Sequence, residues 1–278
     1  MTKKTSKKIG LCLSGGGARG AYQIGAVKAL EELGIYKHIT CISGASIGSA
    51  NGAILSSSSI EAAKKIWFNI PENPMGEQKS LLSNIKEKKL DLLNQGLYSM
   101  QGMDDILLKN FSVNHIKDKD FYISISESGD ESKGVSEIIR ASVDHYVRKN
   151  SKAKYLHINK MDDKLAIKAI KASCSMPGVF PPVIIDGKKY YDGGVFDNTP
   201  IQPLIDQGCT TIILINIAFF GTKNTTKNIP ENIEFYEIKN SRKLGGVLDF
   251  TSSHAKELYE LGFHDTLVYF KDKKIDFF

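Results

Sequence analysis

Hydrophobic runs of membrane-spanning length are missing from this 278-residue chain. No window approaches the roughly 18 uninterrupted apolar residues a transmembrane helix needs. Cysteine is scarce: Cys12, Cys41, Cys174 and Cys209 are widely separated, with no C-x-x-C pair. That spacing argues against a zinc site or a disulfide framework and fits free, buried thiols in a reducing compartment. Charge of one sign is not concentrated either. The 37 basic and 31 acidic residues leave a net +6, with lysines spread along the chain. Nothing in this balance points to nucleic acid, although it suits contact with an anionic membrane surface. Repeats, low-complexity segments and compositional linkers are also lacking. The start, Met1 to Lys8, forms a basic tail, but the apolar stretch behind it, Ile9 to Ser14, is too short for a signal-peptide core and reads as a first strand. A cytoplasmic protein able to visit a membrane surface is the expectation.

What remains is the composition of a soluble globular protein, 41% hydrophobic and 24% charged, long enough for a substantial core. Its first sixty residues read strand, glycine loop, helix, strand, tight turn, helix. Ile24, Val27, Ala29, Leu30 and Leu33 have helical spacing, closed by Gly34. Such alternation implies an α/β fold with a mostly parallel sheet covered by helices. Ser59 caps an expected helix from Ile60 to Phe68. Residues 72–117 read as a helical insertion without a strand, with Leu81, Leu82, Ile85, Leu92 and Leu93 on one face, either a lid or an ordinary surface helix. Further strands are expected at Phe121 to Ser126 and Tyr155 to Ile158. A helix follows from Asp162 to Cys174. Asp186-Gly187 marks a hairpin turn between Val183–Ile185 and Lys189–Tyr191, and Thr199-Pro200 marks a helix start. Thr211 to Ile217 is a continuous β-branched run, as in a central parallel strand. A strand at Glu234 to Ile238 and a helix over Ser253 to Phe270 close the chain. One domain is expected, with its main body at 9–217 and residues 218–278 packed on it.

Three motifs carry chemistry. Gly44-Ala45-Ser46-Ile47-Gly48 stands between a β-like run and a small-residue helical run. A serine at such a strand-to-helix turn, flanked by glycines, is a nucleophile elbow whose hydroxyl projects at a helix N-terminus. Upstream, Gly15-Gly16-Gly17-Ala18-Arg19-Gly20 opens the first helix and formally matches a dinucleotide-binding loop. That use needs an acidic residue at the end of the second strand, where this chain has Ser43 to Ser46. A phosphate-binding G-K-[ST] is absent too, so no nucleotide is expected. The loop can instead aim the Gly16 and Gly17 amides at the oxyanion of an acyl-transfer intermediate, with Arg19 adding positive potential or bracing the turn. Its plainer reading is a tight helix–strand connection. The third motif, Asp192-Gly193-Gly194, offers a carboxylate base on a turn without bulk, or merely an Asp-Gly turn.

In this order and spacing the motifs resemble the patatin-like phospholipase family. Ala172-Ser-Cys-Ser-Met-Pro-Gly-Val-Phe-Pro-Pro182 is similar to that family's A-S-x-x-x-P-x-x-F-P segment, and Asn198-Thr-Pro200 to its N-x-P. The family often has Asp or Gly where this chain has Ser14. The resemblance covers about residues 9 to 217. It implies a three-layer α/β/α fold and a Ser46–Asp192 dyad. It also implies hydrolysis of phospholipid or other acyl esters without metal or cofactor. In that scheme Ser46 attacks the carbonyl, Asp192 accepts its proton, and the glycine loop holds the oxyanion. A carboxylate of ordinary pKa, about 3.9, is a weak base for serine, so the site should be partly desolvated or should transfer the proton in concert with attack. Three other readings remain open: an α/β-hydrolase triad using His254 or His264, an acyltransferase, and a lipid-binding protein without turnover.

Overall fold

Eight strands form one mixed sheet in the computed structural model, which describes residues 7–70, 100–127, 153–218 and 229–273. They are β1 (Ile9–Leu13), β2 (Ile39–Ala45), β3 (Asp120–Glu127), β4 (Ala153–His157), β5 (Val183–Ile185), β6 (Lys188–Asp192), β7 (Thr211–Asn216) and β8 (Glu234–Lys239). The order is β5-β6-β3-β2-β1-β7-β8, with β4 also paired to β3. From β3 to β8 neighbours run parallel, whereas β4, β5 and β6 pair antiparallel. The expected strands at Phe121 to Ser126, Thr211 to Ile217 and Glu234 to Ile238 lie within one or two residues of β3, β7 and β8.

Period-two patterning explains why both sheet faces are covered. Ile9, Leu11 and Leu13 of β1 and Ile213 and Ile215 of β7 enter one apolar cluster. Cys12, Ile212 and Leu214 enter a second cluster with Cys41, Leu204 and Cys209. Helices α1 (Gly20–Glu32), α2 (Ile47–Ser57), α3 (Ile60–Phe68), α5 (Asp163–Ser173) and α7 (Ser252–Phe270) supply residues to the first cluster. α6 (Gln202–Asp206) covers the second. The result is an α/β/α sandwich. α7 crosses α1 at close range, because a side-chain carbon at Gly25 would overlap the Tyr259 carbonyl and one at Gly262 the Tyr22 carbonyl. β8 and α7 thus pack on the same sheet as the rest of the chain.

Two expectations need adjustment. Helix α6 starts after Thr199-Pro200, not at it, because Ile201 N bonds back to the Thr199 carbonyl (2.7 Å) and Asp197 Oδ1 takes the Thr199 amide (3.1 Å). Of the expected insertion, residues 72–99 with Leu81, Leu82, Ile85, Leu92 and Leu93 lie outside the described residues. Its described remainder holds helix α4 (Gln101–Asn110) and packs on α5, with Lys171 Nζ 2.7 Å from Asp104 Oδ2 and the Val113 amide 2.7 Å from Asp163 Oδ1. The Asp186-Gly187 hairpin has φ of 49° and 76° at its two turn positions, the left-handed pair that two-residue hairpins favour. Among the described residues no helix is long and apolar enough to cross a membrane.

Candidate active site

The register of β3 brings two distant motifs together. β2 pairs with β3 as far as Ala45 opposite Ser124. The next residue of β3, Ile125, pairs with Asp192 at the end of β6. Since β4 occupies the other edge of β3 at Ser124 and Ile125, β6 continues the ladder on the side that β2 leaves. β2 leaves it because the chain turns sharply at Ser46 into α2. The end of β6 therefore meets the turn, and Ser46 Oγ donates to Asp192 Oδ2 at 2.6 Å.

Ser46 has φ 52° and ψ −129°, a strained conformation for a residue with a side chain, of the kind that persists only where the surroundings over-determine it. They do so here. The Ser46 amide donates to Ser173 Oγ (3.1 Å), which itself donates to the Ser124 carbonyl of β3 (2.7 Å). The Ser46 carbonyl accepts Ser49 Oγ (2.6 Å) and Cys174 Sγ (3.1 Å). Gly44 and Gly48 are required by proximity: a side-chain carbon at Gly44 would overlap the Gly48 carbonyl, and one at Gly48 the Leu13 carbonyl. Ala45 and Ile47 are buried on either side of the serine.

Asp192 is equally fixed. Its amide donates to the Ser175 carbonyl (2.9 Å) and its Oδ1 accepts the Gly194 amide (2.7 Å). Gly193 lies against the Ser124 carbonyl, with no room for a side chain. Only 5% of Asp192 and 7% of Ser46 is exposed. Burial raises the Asp192 carboxyl from its ordinary 3.8 to about 6, against the opposing hydrogen bonds from Ser46 and Gly194. Asp192 is thus a desolvated carboxyl group.

The glycine loop follows β1, the direct neighbour of β2, so it reaches the same carboxyl edge of the sheet as Ser46. Ser14 ties it to β7 by accepting the Ile217 amide at its Oγ (2.8 Å). Gly15 packs against Ser46: an added side-chain carbon would stand 3.0 Å from Ser46 Cβ. The Gly15 amide donates to the Asn198 carbonyl (3.1 Å) and the Ala18 amide to the Val247 carbonyl (2.8 Å). Among the described residues, the Gly16 and Gly17 amides have no such partner, and from Ser14 to Gly20 these two residues alone are not fully buried. Gly17 has φ 59°, and a side chain there would overlap the Val247 carbonyl. Gly20 fits beneath Trp67 and Ile47. Arg19 ties the turn to a distant loop: its buried guanidinium donates from Nε (3.0 Å) and Nη2 to the Gly245 carbonyl.

Neither late histidine is hydrogen-bonded to Ser46 or Asp192. His254 Nε2 bonds to the Leu244 carbonyl (3.1 Å), and His264 is exposed on α7. Among the described residues no cluster of three His, Cys, Asp or Glu side chains could hold a metal, and all four cysteines are free and buried. Three contributors escaped the sequence reading. Ser173 and Cys174 stood within the quoted A-S-x-x-x-P segment without a role, and Asn198 within N-x-P. Leu244 to Val247 lie in a stretch for which the sequence offered no motif.

A sheet of this topology, with a strained serine bonded to a buried aspartate beside a glycine loop, makes this an α/β protein with a serine–carboxylate site. The family model for patatin-like phospholipase matches residues 11–205, and the chain belongs to that family. Lysophospholipase NTE1 from Cryptococcus neoformans is 30% identical over 220 residues, covering 76% of this chain and 11% of that protein. The enzyme of the same name from Kluyveromyces lactis is 27% identical over 222 residues, covering 77% of this chain and 13% of its own length. The chain therefore spans only about a tenth of the length of these curated relatives. In fold it is similar to VipD from Legionella pneumophila, with a TM-score of 0.50, 14% identity, and coverage of 96% of this chain and 67% of that one.

Proposed function

We propose that the chain is a serine carboxylic ester hydrolase acting on lipid acyl esters, with Ser46 as nucleophile and Asp192 as base. The observation that carries this reading is the 2.6 Å bond from Ser46 Oγ to Asp192 Oδ2. As Oγ attacks the ester carbonyl, its proton passes to Asp192 and the carbonyl oxygen becomes an oxyanion facing the uncommitted Gly16 and Gly17 amides. Collapse of the tetrahedral intermediate expels the alcohol, which takes the proton back from Asp192 and leaves Ser46 acylated. Water then attacks the acyl-enzyme while Asp192 accepts its proton. The second collapse returns that proton to Ser46 and frees the fatty acid. A carboxylate whose pKa stands near 6 is a better base for this than an exposed one.

The names of the relatives make a lysophospholipid the first substrate to test. Residues 9–217 with β8, α7 and the 243–250 loop form the catalytic unit in this reading, since Gly245 and Val247 hold the glycine loop. The net charge of +6 and Leu248, 37% exposed beside Val247, support a peripheral contact with an anionic membrane surface next to the site; the four free thiols suit a cytoplasmic setting. A panel of lysophospholipid, diacyl phospholipid, glyceride and simple ester, assayed with wild type and Ser46→Ala, tests the proposal. Fatty acid release lost in Ser46→Ala is the expected result, and release unchanged in that variant refutes it. Adding an acceptor alcohol to the same assay separates hydrolysis from acyl transfer.

A further inference from the structure

The Asn198 carboxamide touches both halves of the candidate site and reacts with neither. Its Nδ2 donates to the Gly15 carbonyl (3.3 Å), while its own backbone carbonyl accepts the Gly15 amide (3.1 Å). Both polar groups of Gly15 are thus held by one residue. On its other side, Oδ1 occupies the space that a side-chain carbon at Gly15 would overlap, and stands 2.6 Å from where one at Gly194 would lie. Gly194 is the residue whose amide holds Asp192 Oδ1. Gly15 lies against Ser46 and directly precedes the two uncommitted amides. A half-buried side chain is thereby wedged between the turn that presents those amides and the turn that fixes the carboxylate.

We propose that Asn198 is a positioning residue that sets the Gly16 and Gly17 amides at the distance from the Ser46–Asp192 pair that the tetrahedral intermediate needs. It does so by clamping Gly15 at both backbone groups while filling the gap to Gly194. The inference rests on the Ser46–Asp192 reading and deepens it. The ground-state ester owes little to those amides, whereas the oxyanion depends on them. The clamp therefore acts on kcat and leaves KM nearly alone.

Asn198→Ala and the isosteric Asn198→Asp, which lacks the Nδ2 donor, test this together with Ser46→Ala. The probes are a short p-nitrophenyl ester and an alkyl trifluoromethyl ketone, which forms a tetrahedral adduct with a reactive serine. In both Asn198 variants kcat should fall about 30-fold with KM within about two-fold, and ketone affinity should weaken by the same factor as kcat. A merely structural side chain would lower the melting temperature and leave the ratio of ketone affinity to KM unmoved; that outcome, or an unchanged kcat, overturns the clamp. Should Asn198→Ala fail to fold, Asn198→Asp decides alone by the same criteria. Wild type without Ser46-dependent ester cleavage refutes the Ser46–Asp192 reading itself and the clamp with it. Active wild type with unaffected Asn198 variants refutes only the clamp.

Discussion

The serine turn and the glycine loop stand side by side and are built on opposite rules. At Ser46 the strained backbone is saturated: amide, carbonyl and hydroxyl each have a partner, drawn from β6, α5 and α2. In the loop, Gly15 and Ala18 are anchored, while Gly16 and Gly17 between them have amides with no backbone partner among the described residues. A buried donor without a partner is costly, so partial exposure of these two residues keeps that cost low while their direction stays set by the anchors. Under the proposed function, the first region holds a nucleophile in place and the second awaits a charge.

The comparison breaks first, and by the largest margin, if either partner of the dyad is removed. Ser46→Ala and Asp192→Asn should each lower kcat/KM by at least about 10³-fold, measured with a soluble ester. Next, Gly17→Ala would drive the loop off Val247 and displace the amides. Its kcat should fall about 10²-fold, with Ser46 and Asp192 still hydrogen-bonded in a crystal structure of the variant. Ser173→Ala removes the acceptor of the Ser46 amide. It should destabilise by about 1–2 kcal/mol in denaturant titration and lower kcat more modestly than the Gly17 change.

The aspartate sharpens the contrast through pH. Because burial lifts its pKa to about 6, the base is lost as pH falls through that value, and kcat/KM should decline tenfold per unit below about pH 6. For stability the sign is opposite. The folded protein binds the Asp192 proton more tightly than the unfolded chain, so its contribution is fully present at low pH and is lost as pH rises from about 4 through about 6. Above that, Asp192→Asn should stabilise the fold, by up to about 3 kcal/mol, and thermal melts at about pH 4 and about pH 8 would show most of the gain at the higher pH. The smallest effect is expected for His254→Ala with His264→Ala. A dyad keeps activity within about threefold, whereas a triad would lose about 10³-fold or more.

Much of this was legible because it is local. Gly44 to Gly48 and Gly15 to Gly20 each follow an apolar strand and open a helix, and Asp186-Gly187 announces its own turn. The burial of Ser46 and Asp192 was less legible, because it depends on β6 joining β3 antiparallel, a long-range pairing that no local motif marks. Gly245 was invisible as a partner of Arg19: the two stand 226 positions apart, and nothing periodic marks a loop that meets the glycine turn only after the sheet has assembled. The N-x-P motif gives no hint of what Asn198 does, since a wedge between two turns is a property of the gap and not of either sequence.

One consequence of the β2–β3–β6 arrangement reaches past catalysis. β3 serves as a common rail: one strand runs alongside it and departs at the serine, and another arrives at the aspartate from the far end. Adjacent residues of an extended chain face opposite ways, so sliding β6 along the rail by a single step would carry the carboxylate to the reverse side of the sheet. An insertion or deletion of one residue between Tyr190 and Asp192 should therefore silence the protein even where the fold absorbs it, whereas lengthening the Asp186-Gly187 tip, at the other end of that strand, should be tolerated.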